Sequence, residues 1–442
     1  MRHARPALLA GFAVLFALAA PAAAEAPAKP QPKVVYLHAG RLLDQPGKPP
    51  RGASTVVITD GVVTSVSDGT LPAPTGATTV ELGDAFVLPG LTDLHVHLFS
   101  DGDPLRARLE ASTRDREDAA YLAALHARQT LDAGFTTVRD LSAPPRGIRA
   151  LRDAIEAGEI PGPTIINAGK MISVSGGHGD GGGLNEETYE ALAPHDYNNL
   201  CNGADDCRRA VREQIRLGAL VIKFAATGGV LSNVAGGIGQ QMTSEEMKAL
   251  IDTAHDFGRK VAAHSHAAGG TMAAVNAGVD TIDHGTFLDE PTVKAMLAHG
   301  TWLVPTMLAS DTALGQARAG KLPPASAAKA EETAGAARKS HALAIKMGVK
   351  IAFGTDTGVS RHGDNAREFA LMVKAGMSPM AAIAAATVNA AEALGRTDTV
   401  GRIAPGMPAD IIAVHGDPLT DVTRLEHVDF VMKRGTVIKQ VP

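Results

Sequence analysis

The chain has 442 residues, 45% hydrophobic and 20% charged, ordinary globular composition with length for one large domain and a small one. Lys and Arg number 42 against 47 Asp and Glu, a formal charge of -5, so no basic excess is present to hold nucleic acid. Aromatic residues make up 4%, which leaves few platforms for stacking on bases.

At the start of the chain, Arg2, His3 and Arg5 precede the apolar stretch Ala7–Ala20, and Ala22-Ala23-Ala24 offers a small-residue cleavage site before Glu25. This is the pattern of a secretory signal peptide over residues 1–24. The run is short for a membrane span, and no Cys follows it to take a lipid. The expectation is a periplasmic or secreted protein, free of the membrane after cleavage. An Ala/Pro-rich linker then leads to β-like runs at Val34–His38, Thr55–Thr59 and Val62–Val66, separated by turns with Gly, Pro and Asp. Similar runs return at Asp410–Val414, Asp429–Lys433 and Thr436–Gln440. Two β clusters flanking a long middle predict a small β-sandwich built from both termini, residues 25–89 and 404–442.

Over residues 90–403 apolar strands alternate with amphipathic helices. Strands are predicted over Phe86–Leu98, Thr136–Asp140, Thr164–Ile172, Leu220–Ala226, Lys260–His266, Thr281–His284, Trp302–Met307 and Lys350–Asp356. Cys201 and Cys207, the two cysteines of the chain, predict a small surface disulfide in an oxidising compartment. Thr243-Ser244-Glu245-Glu246 is a capping box that opens a helix stopping near Gly258. Ser378-Pro379 opens another that runs to Gly395. Eight strands, each followed by helix or loop, argue an α/β fold, a (β/α)8 TIM barrel, over a doubly wound sheet.

In such a barrel the C-terminal strand ends carry the chemistry. Here those ends present His95 and His97, Lys223, His264 with His266, His284, and Asp356. In Asp93-Leu94-His95-Val96-His97 the two imidazoles are two residues apart, so an extended strand turns both to one face, where they can grip one ion. A lone strand histidine is more often a satisfied core residue, and a strand-end Asp is often a turn former. Placement of hydrophilic groups on five strand ends resists that explanation.

Loops add further candidates. Ser175 to Gly183, with His178 at its centre, is a glycine-rich loop over the barrel mouth. It lacks the lysine-serine pair of a phosphate loop, so His178 reads either as a substrate contact or as a solvated loop histidine. Arg361 and His362, just past Asp356, stand either where they would hold a substrate carboxylate or on plain surface. Gly236-Gly237-Ile238-Gly239 reads as loop, and His126, His255, His299 and His415 read as structural.

The chain resembles the amidohydrolase superfamily over nearly everything past the signal. The matching pieces are Leu88-Pro89-Gly90-Leu91-Thr92-Asp93-Leu94-His95-Val96-His97, Ile222-Lys223-Phe224-Ala225-Ala226-Thr227-Gly228-Gly229, Ala263-His264-Ser265-His266, Thr281-Ile282-Asp283-His284-Gly285, Gly354-Thr355-Asp356 and Pro405-Gly406-Met407-Pro408-Ala409-Asp410. Within it, the chain is most similar to the imidazolonepropionase-related prolidases, which cleave Xaa-Pro dipeptides, and to the ochratoxin-hydrolysing amidases. The resemblance implies two divalent metal ions, zinc first and manganese, cobalt or iron as alternatives. It puts His95, His97 and Asp356 on the deeper ion and His264 and His284 on the other, with Lys223 as N6-carboxylysine between them. His266 then faces the substrate. A bare ammonium cannot bind a cation but a carbamate can, and burial makes the neutral amine available. The alternative is a Lys223 whose charge pairs with a neighbouring acid.

The implied reaction is hydrolysis of an amide next to a free carboxylate, in a dipeptide or N-acyl amino acid, by an attacking hydroxide between the ions. Asp356 would carry the proton to the leaving nitrogen, and His266 and His178 would hydrogen-bond the carbonyl. The partner is a small-molecule substrate, and related enzymes imply a homo-oligomer. Rival readings are a cyclic-amide, lactone or phosphotriester hydrolase on the same site, or a binding protein with a dead barrel.

Overall fold

The computed structural model describes residues 32–441 apart from 104–105, 107–108, 110–112, 181–186, 188–198 and 233–236. The expected signal peptide, Gly181 to Gly183 and Gly236 lie outside the described residues. Among the described residues no helix is long and apolar enough to cross a membrane.

Two sheets near the chain ends share one apolar core. The first contains β1 (Val34–Ala39), β3 (Ser54–Thr59), β4 (Val62–Asp68) and β5 (Thr78–Glu81) in the order β4-β3-β1-β5. The second runs β16-β15-β14-β6-β2, from β2 (Arg41–Leu42), β6 (Phe86–Pro89), β14 (Ile411–Val414), β15 (Phe430–Lys433) and β16 (Thr436–Gln440). Val35, Leu37, Val56 and Ile58 of the first pack with Val87, Ile411, Ala413 and Met432 of the second. Alternate residues along each strand supply this core, as a pleated strand requires.

The expected strand Phe86–Leu98 is two strands. The division falls at Gly90, whose N donates to Asp410 O while Leu91 N donates to Gly134 O, and where a side chain would overlap Thr136, whose Oγ1 lies 2.2 Å from the added carbon. Before the break β6 pairs antiparallel with β14, and after it β7 (Leu91–Val96) turns to a parallel partner, β8 (Phe135–Asp140).

Parallel pairing then continues from strand to strand. β8 pairs β9 (Thr164–Asn167), and Ile172 bridges to Phe224 of β10 (Ile222–Ala225). β10, β11 (Val261–Ser265), β12 (Thr281–His284) and β13 (Trp302–Val304) follow in order. The run expected over Lys350–Asp356 joins by isolated bridges instead of a regular ladder. Leu303 pairs Ile351 and Val96 pairs Thr357, both parallel, and Leu94 N donates to Phe353 O at 2.9 Å. The pairings thus return to β7, where they began. Ile222, Phe224, Val261, Ala263, Ile282, Leu303 and Phe353 pack outward with the helices, while Ala262, Val304 and Ala352 belong to a separate cluster on the opposite face.

The helix Ser244–Asp256 starts on its expected capping box: Thr243 Oγ1 accepts from Glu246 N at 3.2 Å, and Thr243 N donates to Glu246 Oε2 at 2.8 Å. The helix expected from Ser378 to Gly395 is two, Pro379–Ala385 and Val388–Leu394. The break frees carbonyls for the strands: Phe353 N donates to Ala385 O and Thr92 N to Ala386 O, 3.0 and 2.8 Å. Cys201 and Cys207 are bonded to each other. Both are fully buried against the helix-side core, not on the surface as expected.

Gly354 has no room for a side chain, since an added carbon would sit 2.3 Å from Val304 Cγ1 and 3.2 Å from His95 Cβ. Gly335, inside the helix Pro324–Met347, would meet nothing within 4 Å. Gly354→Ala is therefore expected to cost roughly 1–3 kcal/mol through overpacking, and Gly335→Ala to stabilise by about 0.5–1 kcal/mol. Denaturant unfolding of the two variants reads both signs.

Candidate active site

The alternation that sends Ile222 and Phe224 outward turns Lys223 inward, and neighbouring strands do the same with His95, Arg139, His264 and Asp283. Asp283, 0% exposed, accepts from Lys223 Nζ and, at 3.1 Å, from Arg139 Nη2. His95 Nδ1 lies 3.3 Å from the same carboxylate. Burial opposes ionisation of Asp283, but Lys223, Arg139 and His95 outweigh it and hold the carboxyl well below the usual carboxylate range. Burial in turn lowers the Lys223 ammonium against the pull of Asp283.

Asp356 stands 3.0 Å from His97 Nε2 and 3.5 Å from His95 Nε2. Burial opposes its charge, yet the two imidazoles and Lys223 keep its pKa below the ordinary value. Burial pushes His95 and His178 down to about 4 and His266 to about 3, and His264 and His284 further. All five rings are thus neutral near pH 7, the form that offers a lone pair to a metal.

Backbone strain collects at the same place. His284, Thr306 and Asp356 have φ of 73°, 48° and 57°, in the left-handed region that costs a β-branched residue most. Two of them are joined, since Thr306 Oγ1 lies 2.7 Å from His284 Nδ1. Thr286 Oγ1 similarly meets His266 Nδ1 at 2.6 Å.

The donor atoms of His264, His266 and His284 lie within 4.8 Å of one another, and so do those of His95, His284 and Asp356. His178 Nδ1 and His264 Nε2 are buried without a hydrogen-bond partner. Neutral, unpartnered imidazole nitrogens converging with a carboxylate fit divalent metal ions. His266 thereby joins the donor set of His264 and His284, whereas the sequence had turned it to substrate alone. Lys223 contacts Asp283, the alternative pairing for an unmodified lysine.

His95, His97, His178, Lys223, His264, His266, His284 and Asp356 all line one cavity of about 400 Å3. The His178 ring packs on His264, centroids 4.1 Å apart, over Gly229, where an added side-chain carbon would fall 2.2 Å from it. Arg361 and His362 do not line the cavity. The turn closed by Val359 N on Asp356 O faces Gly358 and Val359 inward and leaves Arg361 exposed. His362 is instead a packing residue. It stacks on His126 with centroids 4.3 Å apart, and its Nε2 meets Ser100 O at 2.8 Å.

Several functional groups escaped the sequence reading. Arg139 and Asp283 are charged residues inside apolar strand runs, and that was the available signal. Asp93, also buried, accepts from His95 N, Thr355 N, Thr355 Oγ1 and Asn365 Nδ2, which locks β7 to the segment carrying Asp356. Burial raises its pKa to about 6 against those hydrogen bonds.

Buried histidines and a carboxylate converging at the ends of parallel strands form a candidate divalent-metal site of the kind hydrolases use. Residues 86–438 match the amidohydrolase family. The chain belongs to that family and is a hydrolase acting on amide bonds. It is 33% identical over 426 residues to ochratoxinase from Aspergillus niger, covering 92% of this chain and 87% of that one. A solved Xaa-Pro dipeptidase with methionine bound in its active site shares 37% identity and a TM-score of 0.87, covering 92% of this chain and 100% of that one. A prolidase complexed with N-methylphosphonate-L-proline shares 30% identity and a TM-score of 0.83, over 92% of this chain and 100% of that one.

The depressed imidazoles set a pH dependence. An unfolded histidine protonates below about 6.5, whereas His95 and His178 resist until about 4. Unfolding then takes up protons, so stability is present above pH 6.5 and lost as pH falls toward 4. The raised pKa of Asp93 and Asp140, each about 6, of Glu368, about 8, and of His97 acts with the opposite sign, against five depressed imidazoles together with the depressed Asp283 and Asp356. Melts of metal-stripped protein between pH 4.5 and 7.5 are expected to show Tm falling on acidification, and a rise would contradict the assignment.

Proposed function

We propose that the chain is a binuclear-metal amidohydrolase cleaving the amide of a small substrate that carries a free carboxylate beside it, a dipeptide such as Xaa-Pro or an N-acyl amino acid. The observation that carries this is the pair of donor sets sharing His284, with Lys223 beside them at one cavity. The ring of parallel strands is read as a (β/α)8 barrel spanning 90–403, and the two terminal sheets as its sandwich.

His95, His97 and Asp356 would hold one ion and His264 and His284 the other. Lys223 would lie between them as a carbamate: its neutral Nζ forms a bond to carbon dioxide and releases one proton. Bound there, two divalent ions, zinc foremost with manganese, cobalt or iron as alternatives, supply a water of lowered pKa and a polarised carbonyl. Asp356, ionised at neutral pH, takes a proton from the attacking water and gives it to the leaving nitrogen. Amides need that delivery, because an amide anion leaves poorly. His178, packed on His264, and His266, beside the donor atoms of His264 and His284, would hydrogen-bond the carbonyl as charge develops on it. With Arg361 and His362 outside the cavity, neither is retained for the substrate carboxylate.

We further propose export with cleavage before Glu25, and assembly into a homo-oligomer. Intact mass of protein recovered from an exporting host tests the first, since a retained Met1 would refute it. Light scattering tests the second, and a monomer at micromolar concentration would refute it.

Lys223→Ala is expected to lose metal and turnover together, with partial recovery in added short-chain carboxylates. Two tightly held ions and near-normal turnover in that variant would sink the carbamate. Asp356→Asn keeps the size but cannot accept a proton at neutral pH. Its kcat on unactivated amides is expected to fall by roughly two to four decades, and less on activated esters, whose leaving groups need no proton. Metal analysis alongside the kinetics separates loss of ions from loss of proton transfer.

A further inference from the structure

His284 belongs to both donor sets, so the direction of its ring bears on either ion. The ring itself is set by a relay. Thr306 Oγ1 donates to Pro305 O at 2.8 Å, which leaves its lone pair to accept from His284 Nδ1 at 2.7 Å. That assigns the ring proton to Nδ1 and the free lone pair to Nε2.

The backbone beneath the ring needs a second support. β12 ends at His284, where φ is 73°, and Gly285 follows with φ of 59°. A Cβ makes such a conformation unfavourable at His284. The carbonyls of both residues are met from one helix, Pro324–Met347. His341 Nε2 lies 2.6 Å from His284 O, and a carbonyl only accepts, so Nε2 carries the proton. Ser340 Oγ donates to Gly285 O at 2.5 Å and accepts from Leu288 N at 3.0 Å. Both side chains are buried. Without those donors the turn would hold two unmet carbonyls, and its backbone would relax toward negative φ and swing the imidazole with it.

We infer that His341, with Ser340 beside it, is a positioning residue for metal binding: its hydrogen bond to the His284 carbonyl holds the left-handed turn that aims His284 at both ions. This rests on the two-ion reading above. His341 also borders the cavity, which makes direct substrate contact the competing role. A positioning residue acts on ion affinity and, through occupancy, on kcat, whereas a substrate contact acts on KM.

Glutamine and methionine both reach as far as histidine Nε2, and of the two only glutamine carries a donor there. The test measures zinc affinity of metal-stripped wild type, His341→Met and His341→Gln by competition with a chromophoric chelator, and KM on alanyl-proline in saturating zinc. Wild type is expected to hold two ions. His341→Met should bind zinc roughly ten- to a hundredfold less tightly, the usual effect of removing an outer partner of a ligand, with KM unchanged in saturating zinc. His341→Gln should recover most of that loss. Wild-type affinity in His341→Met overturns the inference, as does a raised KM with affinity intact. Equal losses in the two variants overturn it as well, since they report packing and not the donor. Should His341→Met fail to fold, Ser340→Ala frees the other carbonyl of the turn, and wild-type zinc affinity in that variant overturns the inference. A wild type that holds no zinc overturns the two-ion reading itself and the inference with it.

Discussion

A carboxylate with no exposed surface lies at the centre of this molecule, and the site is arranged around meeting its charge. Asp283 on β12 is bonded by Lys223 from β10 and Arg139 from β8. Arg139 also donates through Nε to Leu94 O on β7, at 2.6 Å, and through Nη1 to Thr281 Oγ1. Four strands are therefore tied by one charge network. Removing one partner of such a network strands the others, at a cost of about 3–5 kcal/mol, so slipping any of these strands along its neighbour is strongly disfavoured. That fixed register is what allows His95, Lys223, His264 and His284 to arrive at one place from sequence positions nearly 200 residues apart.

Rigidity at the strand ends has a second source. The left-handed backbone at His284, Thr306 and Asp356 is unfavourable taken alone, and the surroundings have to hold it. Glu368, fully buried, accepts from Met307 N and Leu308 N, which follow Thr306 directly. Asp93 does the same between β7 and the Asp356 segment through four hydrogen bonds. The strand-end side chains of the site are therefore aimed by buried polar groups that do not line the cavity. Support of this kind lets a site keep its shape while empty, which is a precondition for binding an ion without reorganisation.

Much of this was legible in the sequence because it repeats simple periodicities. Strand runs, the capping box at Thr243 and the hydrophilic strand ends all report local rules. The failures were at places where local rules give way to distant partners. The strand through Gly90 split because its pairing passes from β14 to β8 there. The helix past Ser378 broke because its carbonyls serve Phe353 and Thr92. Arg361 and His362 follow Asp356 closely in sequence, but a turn separates nearness in the chain from nearness to the cavity. Cys201 and Cys207 read as surface because pairing can be guessed from spacing, whereas burial depends on which helix packs over them. Asp283 was hidden by its neighbour, since a histidine on a strand end draws attention from the acid beside it.

Burial links these observations to the chemistry. Water near the imidazoles would restore their ordinary pKa and leave a sizeable fraction protonated at mildly acid pH, each proton occupying the lone pair a metal needs. Inside the ring the same rings stay neutral down to about 4. The desolvation that frees those nitrogens also lowers Lys223, which moves a lysine toward the neutral amine able to react with carbon dioxide. Asp356 moves the other way, because the rings beside it favour its charge and keep it ready to accept a proton. Burial thus favours the neutral imidazoles and the neutral amine while the rings beside Asp356 favour its carboxylate, and the charge on Asp283 offsets the burial of Arg139.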